Sequence, residues 1–101
     1  MVKYYINDEQ VDKVRFPVTE IGTKNTVTVT LENNYGEIIE LIPYVGDMEV
    51  ECKSYPRKLN PGETGTSKWT FKPTKERLKN KEGMGKQISL KCECGFKEII
   101  G

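Results

Sequence analysis

Three cysteines are the residues of this sequence whose type points most directly to chemistry. Thiolates at Cys52, Cys92 and Cys94, with the carboxylate of Glu93 as a fourth ligand, would form a donor set suited to zinc. Against this reading, the chain has no histidine, and the segment "CEC" lacks the usual spacer of about two to four residues between zinc-binding cysteines. We therefore predict no metal site and no cofactor.

The cysteines also fit a structural role. All three fall on the inward phase of predicted strands, where a cysteine usually packs as a small hydrophobic side chain. Cys92 and Cys94, two residues apart on one predicted strand, are poorly placed to bridge each other. Core packing is the favoured interpretation, metal binding and redox use are the alternatives, and a contact between Cys52 and one of the pair stays open.

The sequence carries no recognisable catalytic set. Without histidine, the commonest general base and the usual nucleophilic triad are both missing. The acidic clusters at 8–9 and 47–51 alternate with core residues along predicted strands, which is typical of a solvated sheet face. "EGMGK" (82–86) is too short for a phosphate-binding loop and lacks its following Ser or Thr. We predict that the chain is not an enzyme and has no catalytic residues.

A basic segment at 72–86 is the first candidate for partner binding. It holds six basic and two acidic side chains, a local net charge of +4. Lys75, Arg77, Lys79 and Lys81 could dock on an acidic protein surface, and a solvated loop is the alternative. Nucleic acid is not expected there, because no aromatic side chain is interleaved for base stacking.

Two adjacent tyrosines near the start of the chain are the second candidate. Tyr4 and Tyr5 lie beside a predicted N-terminal edge strand that could extend the sheet of a partner. Tyrosine is enriched in protein interfaces because it combines apolar area with a hydrogen-bonding tip. The alternative is that both rings simply pack at the edge of this protein's own sheet.

Strands must position all of these residues. "TVTVTL" (26–31) alternates strictly, which predicts a half-buried strand with Val27, Val29 and Leu31 inward. "IIELIPYV" (38–45) is apolar on both faces, which is typical of a central strand, although its proline favours an edge or a bulge. The start, "KYYI" and "QVDKVRF" around "ND", predicts a first strand or a small hairpin.

The second half of the chain continues the alternation. "DMEVECK" (47–53) places Met48, Val50 and Cys52 inward, and "NPGE" (60–63) suits a β-turn with Pro second and Gly third. "TKERLKN" (74–80) predicts a short helical turn. The remaining inward positions are Ser67, Trp69, Phe71, Ile88, Leu90, Cys92 and Cys94, and the outward ones after the turn are Lys68, Thr70 and Lys72.

About seven strands with turns every 8–12 residues predict an all-β fold, a single immunoglobulin-like β-sandwich over 1–101 with one basic loop at 72–86. Sixteen basic against fifteen acidic residues give a net charge of +1, which argues against nucleic-acid and membrane-surface binding. No apolar run is long enough to span a membrane, and the N-terminus lacks the apolar segment of a signal peptide. We expect a cytoplasmic or virion protein that is not secreted.

Several short motifs resemble a family pattern. They are "LEN" (31–33), "VEC" (50–52), "LNPGETG" (59–65) and "FKP" (71–73), in an order that resembles the immunoglobulin-like sandwiches of the ASH, major sperm protein and pilus-chaperone type. The resemblance covers about 16–101. It implies a non-enzymatic structural or protein-interaction module, most concretely a small accessory subunit of a large assembly such as a phage virion (capsid decoration or tail component). The alternative that it implies is a soluble intracellular adaptor that binds a peptide or partner protein along an exposed sheet edge.

Overall fold

The computed structural model describes residues 1–74 and 87–101, with the backbone alone for 87–91. The regular secondary structure of this part is entirely β-strand, in ten pieces. The strands are β1 (Val2–Ile6), β2 (Glu9–Val11), β3 (Arg15–Glu20), β4 (Asn25–Asn33), β5 (Ile39–Tyr44), β6 (Val50–Ser54), β7 (Lys58–Leu59), β8 (Thr64–Phe71), β9 (Gln87–Lys91) and β10 (Gly95–Ile100). The predicted helical turn at 74–80 and most of the predicted basic loop lie outside the described residues.

The strands form antiparallel sheets around one core. A five-stranded sheet has the order β2-β1-β4-β8-β6, a three-stranded sheet has the order β10-β5-β7, and β3 pairs with β9. Side chains meet between the two larger sheets, where the ring of Trp69 on β8 contacts that of Phe96 on β10 edge-on, with centroids 5.4 Å apart. The predicted all-β sandwich is confirmed, with ten strands described instead of about seven because β2 and β7 are short additions at sheet edges.

The first hairpin forms where the sequence predicts it. β1 and β2 are joined by Asn7 and Asp8, which have φ values of 52° and 65°. Positive φ at both central residues is the requirement of a two-residue type I′ turn, and Asn and Asp tolerate it better than most residues. The hairpin places Tyr4 opposite Val11 and Tyr5 opposite Gln10.

The alternation of β4 and β8 is confirmed. Val27, Val29 and Leu31 are buried, and β4 pairs with β8 over eight residue pairs that include Val27 with Trp69. Ser67, Trp69 and Phe71 are buried as predicted, whereas Thr70, predicted outward, is also buried. Thr70 lies between Thr26 of β4 and Glu51 of β6, so neighbours on both sides cover it.

Met48 is an error of the sequence interpretation. It was expected inward, but it is fully exposed because β6 begins only at Val50. The preceding residues form a turn, in which the amides of Val50 and Glu49 donate to the backbone carbonyl and the side chain of Asp47, at 3.2 and 2.9 Å. The alternation of apolar residues therefore does not predict burial at Met48, which lies two residues before β6 begins.

β5 is the centre of the three-stranded sheet, as predicted, but only one of its faces is buried. Ile39 and Leu41 are buried, whereas Ile42 is 47 % exposed. Pro43 is compatible with the central position because of its register. The amide of Leu41 donates toward the β7 side, to the carbonyl of Arg57 at 2.9 Å, and position 43 points the same way. Since β7 pairs only with Ile39 and Glu40, the missing N–H of Pro43 breaks no ladder bond.

The corner at 60–63 is a β-turn, as predicted. The amide of Glu63 donates to the carbonyl of Asn60 at 3.0 Å, and Gly62 has a φ of +76°, the value that a type II turn requires at its third residue. The corner is tied to the end of β4, because Asn33 exchanges backbone hydrogen bonds with Gly62 and Glu63 at 2.9 and 3.0 Å. The segments "LEN" (31–33) and "LNPGETG" (59–65), two of the motifs that carry the family resemblance, are therefore in direct contact.

Candidate protein-interaction site

The cysteines are buried as predicted, but their pairing differs from the prediction. Cys92 and Cys94 are 1 % and 2 % exposed and are joined by a disulfide, with Cα atoms 5.1 Å apart. The expectation that they are poorly placed to bridge each other is wrong, because β9 ends at Lys91 and the chain bends through Glu93 instead of continuing as a strand. Cys52 keeps a free thiol, so the contact left open between Cys52 and the pair is not made.

This arrangement predicts a specific alkylation pattern. Iodoacetamide should modify one thiol, Cys52, in the folded oxidised chain and all three after denaturation and reduction. Burial raises the pKa of the Cys52 thiol. The hydrogen bond with the backbone carbonyl of Ser54 has a smaller effect in the opposite direction. Because the thiolate is the reactive form, its alkylation should be slow at neutral pH and accelerate as the pH rises beyond the usual cysteine range. Peptide mass spectrometry over a pH series checks both points, and three reactive thiols before reduction would contradict the pairing.

The charged side chains of the described residues form ion pairs at the surface. Within residues 1–74 and 87–101, no group of three or more Cys, Asp or Glu side chains is arranged to hold a metal ion. The ion pairs of this part link exposed side chains, such as Lys13 with Glu93 and Arg15 with Asp12. Exposed pairs of this kind contribute little to stability.

Tyr4 joins the two sheets. Its hydroxyl accepts a hydrogen bond from the backbone amide of Phe96 at 3.2 Å, and its ring lies edge-on to that of Phe96 with centroids 6.4 Å apart. Burial is the main cause that raises the pKa of the Tyr4 hydroxyl, and the hydrogen bond from Phe96 opposes it. The side chain thus has an internal role beside the role in partner binding that the sequence predicts.

Tyr5 and the basic segment remain predictions. Tyr5 is half-buried on the other face of β1, where its hydroxyl lies 3.5 Å from a carboxylate oxygen of Glu32, a long hydrogen bond. β1 is itself covered by β2, so the N-terminal sheet edge beside the two tyrosines is the three-residue β2. The other predicted partner-binding residues lie outside the described residues; they are Lys75, Arg77, Lys79 and Lys81.

An exposed apolar surface lies on the second sheet, and the sequence analysis did not identify it. Ile42 pairs with Lys97, so the side chains of even-numbered residues of β5 and of odd-numbered residues of β10 lie on the same side of this sheet, the side that faces solvent. We call this surface the apolar outer face. It consists of Ile38, Ile42, Tyr44 and Ile99, which are 48 %, 47 %, 53 % and 39 % exposed. The signal was present in "IIELIPYV", whose apolar residues on both faces were assigned to burial on both sides.

β10 borders this surface and, among the strands that the structure describes, ends its sheet. Beside its open edge lies a cleft of about 790 Å³ between β10 and the β1–β2 hairpin, which we call the β10 cleft. Val2, Tyr4 and Val11 line its far side, and Glu98 lines the side of β10. The Glu98 carboxylate accepts a hydrogen bond from the Tyr35 hydroxyl at 2.9 Å, which raises the pKa of Tyr35.

Comparison with protein-family models, with curated proteins and with solved structures gives no match. In the part of the chain that the structure describes, no helix is long and apolar enough to cross a membrane. The apolar outer face and the β10 cleft are therefore the features from which a function can be inferred.

Proposed function

We propose that this chain is a non-enzymatic protein-interaction module that acts as a small accessory subunit of a larger assembly. The observation that carries the proposal is the apolar outer face, where four large apolar side chains of β5, of β10 and of the residue before β5 are exposed on one side of the sheet. Single exposed apolar residues are ordinary, but several on one face of a sheet are typical of a surface that another protein covers.

Two charged side chains lie within the apolar outer face. Glu40 lies between Ile38 and Ile42 along the chain and opposite Ile99, and it forms an ion pair with Lys58 at 3.9 Å. Lys97 lies opposite Ile42. A non-obligate interface as a whole is only about as apolar as the rest of a protein surface, so this mixture is compatible with a protein interface.

The most concrete form of the proposal is a phage virion component, either a capsid decoration or a tail protein, in the cytoplasm before assembly and in the virion after it. This form follows from the resemblance of the motifs to the immunoglobulin-like family. The apolar outer face supports assembly with a protein partner.

The test is co-sedimentation on a density gradient of lysate from the native source, with Ile42→Glu as the decisive variant. Glutamate at 42 would lie opposite Lys97, a favourable cross-strand pair, so the fold should be retained. We expect the wild-type chain to travel with a large particle in fixed stoichiometry and the variant to remain near the top of the gradient. Thr28→Glu, on the exposed side of the five-stranded sheet, is the matched control and should travel like the wild type. A wild-type chain that stays at the size of one small domain would refute the assembly.

A second candidate is an intracellular adaptor that binds a peptide or partner protein along a sheet edge. It is favoured by the position of β10 at the end of its sheet, next to the β10 cleft. Edge strands present backbone donors and acceptors that pair readily with an added strand.

A further inference from the structure

The backbone of β10 alternates between its two sides. The amide of Phe96 donates to the Tyr4 hydroxyl, so it points away from β5. The amide of Gly101 donates to the carbonyl of Ile38 on the β5 side. In an antiparallel strand the N–H and C=O of one residue point the same way and successive residues alternate. Glu98 and Ile100 must therefore direct their backbone groups to the open edge, as Phe96 does.

We propose that the β10 cleft binds an extended segment of a partner protein, which joins the three-stranded sheet as a new strand beside β10. The inference deepens the adaptor form of the proposed function and rests on it. Only an extended chain supplies donors and acceptors at the spacing that Glu98 and Ile100 present. Tyr4 already occupies the amide of Phe96, so the added strand begins at Glu98 and continues toward Ile100.

The side chains of the cleft specify the chemistry of this segment. Lys3, Arg15 and the amino group of Met1 lie in it against Glu9, Asp12 and Glu98, three basic and three acidic groups. Arg15 is paired with Asp12 at 3.4 Å. The charge preference of an added strand therefore depends on Glu98, the charged residue of β10 that lines the cleft.

The position of that charge follows from the register. A residue directly opposite Glu98 in the added strand projects to the same face, within reach of its carboxylate, so a lysine or arginine is favoured there and an acidic residue is disfavoured. Ile100, which is 48 % exposed, lies beyond the residues that line the cleft, and an apolar residue is favoured opposite it. The partner segment thus combines a basic residue with an apolar residue two positions away.

The test uses the full chain and two labelled synthetic peptides, Thr-Val-Thr-Lys-Thr-Val-Thr and the same peptide with Glu in place of Lys, followed by fluorescence anisotropy. We expect saturable binding of the Lys peptide to the wild type and binding of the Glu peptide that is at least about tenfold weaker. Glu98→Lys should reverse this preference. A cross-strand charge pair produces such a reversal, whereas non-specific adhesion of a peptide does not.

A proline variant tests the backbone contact. Ile100→Pro removes an N–H that points to the open edge and none of the bonds between β10 and β5, so the fold should be retained. We expect it to weaken binding of the Lys peptide at least about tenfold, whereas Ile100→Ala, which keeps the N–H, should bind within about threefold of the wild type.

Three outcomes would overturn the inference: no saturable binding to the wild type, no reversal in Glu98→Lys, or wild-type affinity in a folded Ile100→Pro. If Ile100→Pro does not fold, the charge reversal decides alone. Ile42→Glu should bind the Lys peptide like the wild type. Loss of peptide binding together with intact co-sedimentation would reject the strand addition and leave the assembly role standing.

Discussion

Replacing Asn33 with alanine is expected to lower the free energy of unfolding by about 3 kcal/mol. Asn33 is completely buried at the end of β4, and its side chain makes three hydrogen bonds. Its amide group donates to the carbonyls of Glu37 and Leu59 at 2.9 and 3.0 Å, and its carbonyl accepts from the amide of Tyr35 at 2.8 Å. Alanine leaves these groups without their partner. The bond to the carbonyl of Leu59 is buried, and an unsatisfied buried group costs about 1–3 kcal/mol, whereas the groups of Tyr35 and Glu37 lie nearer the surface and cost less.

The matched control is the neighbouring residue. Asn34 is exposed, and its side chain donates to a carboxylate oxygen of Glu32 at 3.1 Å at the surface. Asn34→Ala should change the free energy of unfolding by less than about 0.5 kcal/mol. Urea unfolding followed by circular dichroism gives both values. Equal stabilities of the two variants would show that the side-chain hydrogen bonds of Asn33 to Tyr35, Glu37 and Leu59 do not stabilise the fold.

The strands of this fold were predictable where one face is buried and the other is solvated. In "TVTVTL" each valine meets the core and the threonines are mostly exposed, so hydrophobic alternation and β-propensity indicate the same structure. The corner was predictable for a different reason, because proline fixes φ at one position and Gly62 supplies positive φ at the next. Local chemistry was sufficient in both cases.

The errors occur where tertiary structure decides. Met48 lies in a turn whose hydrogen bonds to Asp47 carry no apolar signature. The disulfide of Cys92 with Cys94 depends on the end of β9 at Lys91, and the sequence alternates without interruption through that point. A pattern of alternating residues does not show where a strand stops, because the backbone hydrogen bonds that end it belong to a distant partner.

The candidate site was the least predictable part. An apolar strand has the same sequence pattern whether both of its faces are buried or one is exposed. The exposure of Ile42 and Tyr44 could therefore be recognised only from the structure. The role of Tyr4 between the sheets required the position of Phe96, which is 92 residues away in the chain. The resemblance of the motifs implied an interaction module, and the topology shows which strands end the sheets of the described residues.

Replacing Trp69 with alanine is expected to have the largest effect on stability, a loss of about 4 kcal/mol in the free energy of unfolding. Trp69 is completely buried on β8, and its ring meets that of Phe96 edge-on with centroids 5.4 Å apart. It therefore bridges the two sheets, and alanine would leave a cavity that rigid strands on both sides cannot close. Since small domains have about 5–15 kcal/mol of stability, the variant should be folded only marginally.

Trp69→Phe separates packing from hydrogen bonding at this position. The indole N–H donates to the hydroxyl of Ser67 at 2.9 Å, and that hydroxyl donates in turn to the carbonyl of Val29 at 3.1 Å. Phenylalanine keeps an aromatic ring but no donor, and the Ser67 hydroxyl keeps its bond to Val29, so we expect a loss of about 1–2 kcal/mol. Lys68→Ala, on the exposed side of the same strand, should stay within about 0.5 kcal/mol of the wild type. Because the chain contains a single tryptophan, unfolding should be followed by far-UV circular dichroism. A Trp69→Ala variant as stable as Trp69→Phe would mean that the two sheets are not held together at this ring.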